Sequence, residues 1–183
     1  MLAVKRIFKY LKDTPSLGLC YPKGSSLALY TYSDADFGGC KLDRKSTSST
    51  CQFLGNMLIS WFVKKQHSVV LSTIEAEYIA TSSCCAQVLW MKQQMEDFRI
   101  TMDHIPIKYD NTSAISLTKN PIQHSRTKHI EIRHHFIRDH VQKGDVVIEF
   151  VDTLHHIADI FTKPLDKDRF CTIRGELGMM IAP

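Results

Sequence analysis

The sequence predicts an α/β domain on a mixed sheet, for three reasons. Three β-prone runs follow one another early in the chain with connections too short for a crossover helix, which makes them antiparallel. Beyond residue 69, apolar residues at helical spacing alternate with short β-prone runs, as in parallel strands joined by crossover helices. The 183 residues, 44% hydrophobic and 23% charged, suit one compact core rather than two full domains or a disordered chain.

Each element has a local cause. Val4, Ile7, Phe8 and Leu11 recur at helical spacing among Lys5, Arg6, Lys9 and Lys12, giving an opening amphipathic helix that Pro15 and Gly18 end. Leu27 to Tyr32 is β-prone and breaks into the acidic, glycine-rich turn Ser33 to Gly39, after which Lys41 to Ser48 is expected as a loop. Thr50 to Leu54 and Met57 to Val63 flank Gly55-Asn56, a hairpin signal. Ser72 and Thr73, with Glu75 close behind, mark a helix start. Ile74, Tyr78, Thr81, Cys85 and Val88 then step by 4, 3, 4 and 3 along a helix expected to reach about Phe98. Pro106 to Tyr109 is a short strand ending at Asp110, followed by a small helix through Leu117. Ser125 can cap a helix holding Ile130, Ile137 and Val141 that closes at Gly144, and Val146 to Val151 is the last strand. A final helical region begins near His156, breaks at Pro164 and resumes through Phe170, Ile173 and Leu177.

Composition narrows the function classes. A formal charge of +4, with nine histidines uncounted, permits a polyanionic partner without requiring one. Cys20, Cys40, Cys51, Cys84, Cys85 and Cys171 include no Cys-x-x-Cys pair, which fits neither a zinc site nor a disulfide framework. They read as buried thiols in a reducing compartment, so an intracellular location, cytoplasmic or nuclear, is expected. No window approaches ~18 uninterrupted apolar residues and charge arrives at Lys5, so no membrane partner or secretory signal is expected.

The chemistry concentrates in acids at element ends. Asp34 stands where the first long strand is expected to stop, Asp110 where the fourth stops, and Asp159 near the start of the last helical region; in an α/β sheet such ends hold ligands. On the long helix, Glu75 and Glu77 point about 160° apart, and Glu77 falls about 60° from the centre of the apolar face against about 100° for Glu75. Glu77 is therefore the inward-leaning acid. Four converging carboxylates repel one another unless cations neutralise them, and oxygen-bound hard divalent ions meet that need.

The wording around these acids is specific. Tyr32-Ser-Asp34-Ala-Asp36-Phe-Gly-Gly39 with Asp43-Arg-Lys-Ser-Thr-Ser48 resembles the opening of the ribonuclease H domain of copia-type LTR retrotransposon polyproteins. Leu71-Ser-Thr-Ile-Glu75-Ala-Glu77-Tyr-Ile-Ala80 is similar to the same family, and so are three further segments in the same order. These are Tyr109-Asp110-Asn-Thr-Ser-Ala-Ile115 with Lys119-Asn-Pro121, then His124-Ser-Arg-Thr-Lys-His129, then Ile157-Ala-Asp159-Ile-Phe-Thr-Lys163. The resemblance runs from about Tyr30 to Leu177. It implies an RNase H-like fold, a mixed five-stranded sheet of three antiparallel strands and then parallel crossovers, flanked by helices. Residues 1–24 resemble the tail of a reverse-transcriptase connection, and 25–183 are the expected RNase H-like domain. No Tyr-x-Asp-Asp polymerase motif is present, so a reverse-transcriptase polymerase domain enters only as an expected partner.

Carried over by motif, the four acids implied as catalytic residues and metal ligands are Asp34, Glu77, Asp110 and Asp159. The implied activity is ribonuclease H: endonucleolytic hydrolysis of the RNA strand of an RNA:DNA hybrid, leaving a 5′-phosphate. Two Mg²⁺ ions, with Mn²⁺ able to substitute, activate the water and stabilise the leaving 3′-oxygen. The alternative is a non-catalytic module, a reverse-transcriptase piece or domesticated relic that holds hybrid or a protein. Asn111, Lys119, His124, Arg126, Lys128 and His129 are candidate substrate contacts, since cations near a helix start suit phosphate. Lys64-Lys65-Gln66-His67, Ser46 and Thr47 rank below them. His155 and His156 are candidate auxiliaries in proton transfer or product release. Phe37 departs from the family's usual Trp, Asp36 is expected to support its turn, and Trp61, Trp90 and Phe136 are expected in the core or an interface.

Overall fold

The computed structural model describes residues 1–112 and 128–181, the side chains of 128–131 apart. Helix α1 spans Leu2–Asp13, and every one of its residues is exposed; its apolar stripe touches the rest of the molecule through the ring of Tyr10, edge-on to Phe170 at 6.1 Å. Strand β1, Leu17–Leu19, pairs antiparallel with β7, Met179–Ile181, as a ribbon separate from the main sheet. Three-residue strands carry no readable period, so neither was expected.

The main sheet begins with β2, Leu29–Asp36, β3, Thr47–Leu54, and β4, Met57–Lys65. Both β2 and β3 extend into segments expected as turn and loop, because each supplies the other's backbone partners: Asp34 lies opposite Ser49 and Asp36 opposite Thr47. Short polar side chains let the pair continue where apolar alternation stops. The hairpin between β3 and β4 turns at Gly55, whose φ of +62° favours glycine and whose absent Cβ would lie 2.3 Å from the Ser26 carbonyl oxygen.

Helix α2, Thr73–Asp97, starts as expected: the Ser72 hydroxyl accepts the Glu75 amide at 3.2 Å, and the Glu75 carboxylate accepts the Leu71 amide at 2.7 Å. Strand β5, Ile105–Tyr109, helix α3, Lys128–Gln142, and strand β6, Val146–Phe150, continue the alternation. Two 3₁₀ turns, Thr153–His155 and Ile157–Phe161, replace the expected start of the last helix, and α4 covers Lys167–Glu176 beyond Pro164. The small helix expected through Leu117 lies outside the described residues beyond Thr112, which is helical, and so does the cap expected at Ser125.

Strand order is β4-β3-β2-β5-β6, with β2 antiparallel to β3 and parallel to β5, and β5 parallel to β6. One face packs against α2 and α3 through Leu29, Ile105, Ile107, Tyr109, Cys84, Val88 and Ile137, and the other against the C-terminal segments through Tyr32, Cys51, Phe53, Ile157, Ile173 and Leu177. Between β3 and α2 the buried layer is polar but satisfied in large part. Gln66 donates to the Ser48 hydroxyl at 2.9 Å and the Ala76 carbonyl at 3.0 Å, while Gln52 donates to Thr50 at 3.0 Å. Trp61 and Trp90 are 53% and 58% exposed, so neither belongs to the core, whereas Phe136 packs half-buried against it. Adjacent parallel strands β2 and β5 thus bring their C-terminal ends together beside the first turns of α2.

Candidate active site

Asp34 sits inside β2 and is 1% exposed; Asp110 follows β5 directly; Glu77 is buried near the start of α2. Their ligand-capable oxygens all lie within 4.8 Å of one another. The helical-phase argument is met in the packing, since Glu77 turns to the sheet while Glu75 serves the helix start. Glu77 accepts the Ala35 amide, but its Oε2 is buried without a hydrogen-bond partner. Burial first, and then the charges of Asp34 and Asp110, push its carboxyl up to about 9, so without a cation it holds a proton at neutral pH. Thr153 steadies Asp110 by donating its hydroxyl at 2.9 Å.

Asp159, also 1% exposed, stands in a second group with Asp34 and His156 rather than with Glu77 and Asp110. The Lys163 ammonium bridges the two aspartates, 2.8 Å from Asp159 and 3.1 Å from Asp34. Arg169 reaches the other Asp159 oxygen at 2.6 Å, His156 Nδ1 lies 3.1 Å from the first, and the Thr162 hydroxyl donates to Asp34. Burial alone would raise the Asp159 carboxyl; hydrogen bonds from His156 and Lys163 outweigh it and hold it below the usual carboxylate range. The same pairing raises Lys163: desolvation works against its charge, and the Asp34 and Asp159 carboxylates overcome that.

The remaining expected residues divide by position. His156 is fully buried, edge-on to Tyr32 at 5.9 Å, while His155 is exposed on the first 3₁₀ turn. Asn111 is half-buried beside Asp110. Lys128 and His129 lie in the first turn of α3, and Lys119, His124 and Arg126 fall outside the described residues. Asp36 belongs to neither acidic group; its carboxylate lies against Gly39, where a Cβ would sit 1.8 Å from Oδ2. The Ser46 hydroxyl accepts the Gly38 amide at 3.1 Å, Lys65 pairs with Asp43 at 2.8 Å, and Gln66 is buried, so these serve the fold.

Lys163, Arg169, Thr162 and Thr153 complete the site without having been singled out by the sequence. Lys163 carried a usable signal, standing four residues after Asp159 in a stretch expected to be helical. Arg169 carried none, because its approach depends on the turn at Pro164.

The donor set is that of a hard divalent cation: three clustered carboxylates, one with a buried oxygen lacking any partner. No protein-family model matches the chain. It is 40% identical over 182 residues to the retrovirus-related Pol polyprotein from transposon RE1 of Arabidopsis thaliana, covering 99% of this chain and 12% of that protein. Its identity to the corresponding polyprotein from transposon TNT 1-94 of Nicotiana tabacum is 36% over 177 residues, 97% of this chain and 13% of the relative. The chain thus spans about an eighth of these relatives. Among solved structures, the N-terminal RNase H domain of a Mycobacterium tuberculosis protein superposes with a TM-score of 0.55 at 9% identity, covering 82% of this chain and 98% of that one. An RNase H1 crystallised with an RNA/DNA hybrid, named LC11, gives 0.53 at 9% identity over 73% and 93%. The fold is therefore RNase H-like, and the homologues along almost the whole chain are retrovirus-related Pol polyproteins of copia-type transposons, each matched over one segment of its length.

Proposed function

We propose that the chain is a ribonuclease H that cuts the RNA strand of RNA:DNA hybrids endonucleolytically with divalent cations. The observation that carries this is the triad of Asp34, Glu77 and Asp110, whose oxygens lie within 4.8 Å of one another around an unpartnered Glu77 oxygen. The RNase H fold and the LC11 RNase H1 solved with bound hybrid support the substrate class. Asp34, Glu77 and Asp110 would hold a divalent ion, Mg²⁺ or Mn²⁺, which would supply Lewis-acid activation of the scissile phosphate and its attacking water.

Hydrolysis joins a water oxygen to phosphorus and breaks the bond to the 3′-oxygen, which leaves as a hydroxyl after taking a proton, with a 5′-phosphate on the other fragment. The chain's own groups prepare that step. The Asp34 carboxylate is fixed within β2, the Thr153 hydroxyl donates to Asp110, and Glu77, whose carboxyl is raised to about 9, would release its proton on holding a cation. His156 and Arg169 hold Asp159 in one orientation. Asn111, next to Asp110 in sequence, and the cationic residues Lys119, His124, Arg126, Lys128 and His129 are the substrate contacts of this reading, on the chemistry of their side chains. A reverse-transcriptase polymerase segment is the proposed partner, a reading supported by the polyprotein relatives and by the fully exposed α1.

The test is a hybrid with end-labelled RNA, incubated with the chain and with Asp110→Asn in Mg²⁺ or Mn²⁺. RNA-strand cleavage lost in the variant is the expected result. Cleavage unchanged in Asp110→Asn removes the assignment, and hybrid binding without cleavage by the parent chain turns the reading to a non-catalytic module.

A further inference from the structure

Resting on that functional reading, we infer that His156 is a nitrogen ligand of an active-site metal ion. With Asp34 and Asp159 it builds a second position for a divalent ion, beside that of Asp34, Glu77 and Asp110, and the ring nitrogen makes this position prefer Mn²⁺ to Mg²⁺.

Three observations carry this. Ligand-capable atoms of Asp34, His156 and Asp159 all lie within 4.8 Å of one another, and all three residues are buried. His156 and Asp159 stand three residues apart where the chain winds as a 3₁₀ turn, a spacing that sets their side chains on one edge. The turn is closed by the Asp159 amide donating to the His156 carbonyl at 3.2 Å, and Nδ1 of the ring stands 3.1 Å from Asp159 Oδ1. Third, Nε2 is buried and has no hydrogen-bond partner among the described residues. The ring proton can therefore reside on Nε2 without displacing another bond, and Nδ1 then presents its lone pair on the side of the carboxylates.

The Lys163 ammonium and a metal ion compete for these carboxylates, and the neighbouring side chains differ in their freedom to respond. Lys163 is a third exposed and ends a flexible stem, so its ammonium can turn to water as an ion enters. The imidazole has no exposed surface and lies edge-on to the Tyr32 ring at 5.9 Å, so it stays. The two ion positions then differ in chemistry. Asp34, Glu77 and Asp110 offer oxygen alone, which suits Mg²⁺, whereas an imidazole nitrogen is a softer donor that Mn²⁺ accepts more readily than Mg²⁺ does. His156 is thereby a specificity-determining residue for the metal.

The experiment gives the full chain, with ¹⁵N-labelled or unlabelled histidine, one equivalent of Mn²⁺ in excess Mg²⁺ and reads nitrogen coupling to the manganese by electron spin echo modulation. The expected result is a bound Mn²⁺ whose nitrogen coupling changes with the label in the parent and is absent from His156→Gln, with Mn²⁺ affinity at least about tenfold weaker in that variant. Bound Mn²⁺ without nitrogen coupling in the parent, coupling that persists in His156→Gln, or Mn²⁺ that binds only when Mg²⁺ is left out overturns the inference and leaves the nuclease reading to its cleavage test. Coupling present in a parent chain that does not cleave overturns the nuclease reading alone, and Mn²⁺ that does not bind even without Mg²⁺ overturns both. Should His156→Gln fail to fold, His156→Asn takes its place with the same expected result, and a labelled parent without nitrogen coupling still overturns the inference by itself.

Discussion

Arg169, in the first turn of α4, places Nη2 2.6 Å from an oxygen of Asp159, ten residues back and 1% exposed. The pair ties the last helix to the acidic end of the sheet. Arg169→Ala leaves a buried carboxylate with Lys163 and His156 as its remaining partners, and is expected to destabilise the fold by about 2 kcal/mol. Urea unfolding measures it. In the double variant Arg169→Ala/Asp159→Asn the loss should be smaller than the sum of the singles, and strict additivity would mean the contact contributes nothing.

Glu77 makes stability depend on pH. Its carboxyl titrates at about 9 in the fold against an ordinary 4.5, so between these values the native state binds a proton that the unfolded chain has released. Stability of the cation-free chain therefore falls as pH rises from about 4.5 to about 9, on the order of a few kcal/mol across the window. Glu77→Gln should flatten that slope and raise the melting temperature at pH 8 in the presence of a chelator. An unchanged slope would place the titrating group elsewhere.

A divalent cation does the work of that proton, so Mg²⁺ should stabilise the parent chain more at pH 8 than at pH 6. Melting curves with and without the ion give the difference directly. Equal increments at both pH values would separate ion binding from Glu77.

The two glutamates of α2 should part company in activity. Glu75→Gln keeps an oxygen that can accept the Leu71 amide, loses only the charge, and should cost under about 1 kcal/mol of stability with cleavage retained, whereas Glu77→Gln should lower the cleavage rate by at least about a hundredfold. Rates on a labelled hybrid decide it, and comparable losses in both variants would dissolve the distinction.

Gly55→Ala tests the hairpin. A φ of +62° and a Cβ 2.3 Å from the Ser26 carbonyl oxygen predict a loss of about 2 kcal/mol, read from the denaturation midpoint, with no change in bound-ion count.

What the sequence made legible followed from local pattern. Ser72 and Glu75 marked the start of α2, the phase of the apolar face selected Glu77, and the alternation of β5 placed Asp110 at a strand end. The strand carrying Asp34 was read too short, since its last residues are polar and owe their extended backbone to Thr47–Ser49 across the sheet, a partner no local window contains. Of Lys163, Arg169, Thr162 and Thr153, which meet these acids, Lys163 alone had a local signal, four residues after Asp159, and the others stayed hidden for the same reason. Arg169 meets Asp159 only after the chain has bent at Pro164, and Thr162 meets Asp34 across 128 residues of sequence. Asp159 was legible as an acid; its company was not.

The β1–β7 ribbon has a mechanical consequence. Leu17 lies opposite Ile181 and Leu19 opposite Met179, so chain entering β1 and chain leaving β7 do so at the same end of the pair. A pull applied through the flanking segments would load the ribbon as a zipper, one rung after another, rather than in shear across all rungs at once. The ribbon would open at low force while the five-stranded sheet stayed whole, so the ends of the chain would lengthen before the acidic cluster of Asp34, Glu77 and Asp110 is disturbed.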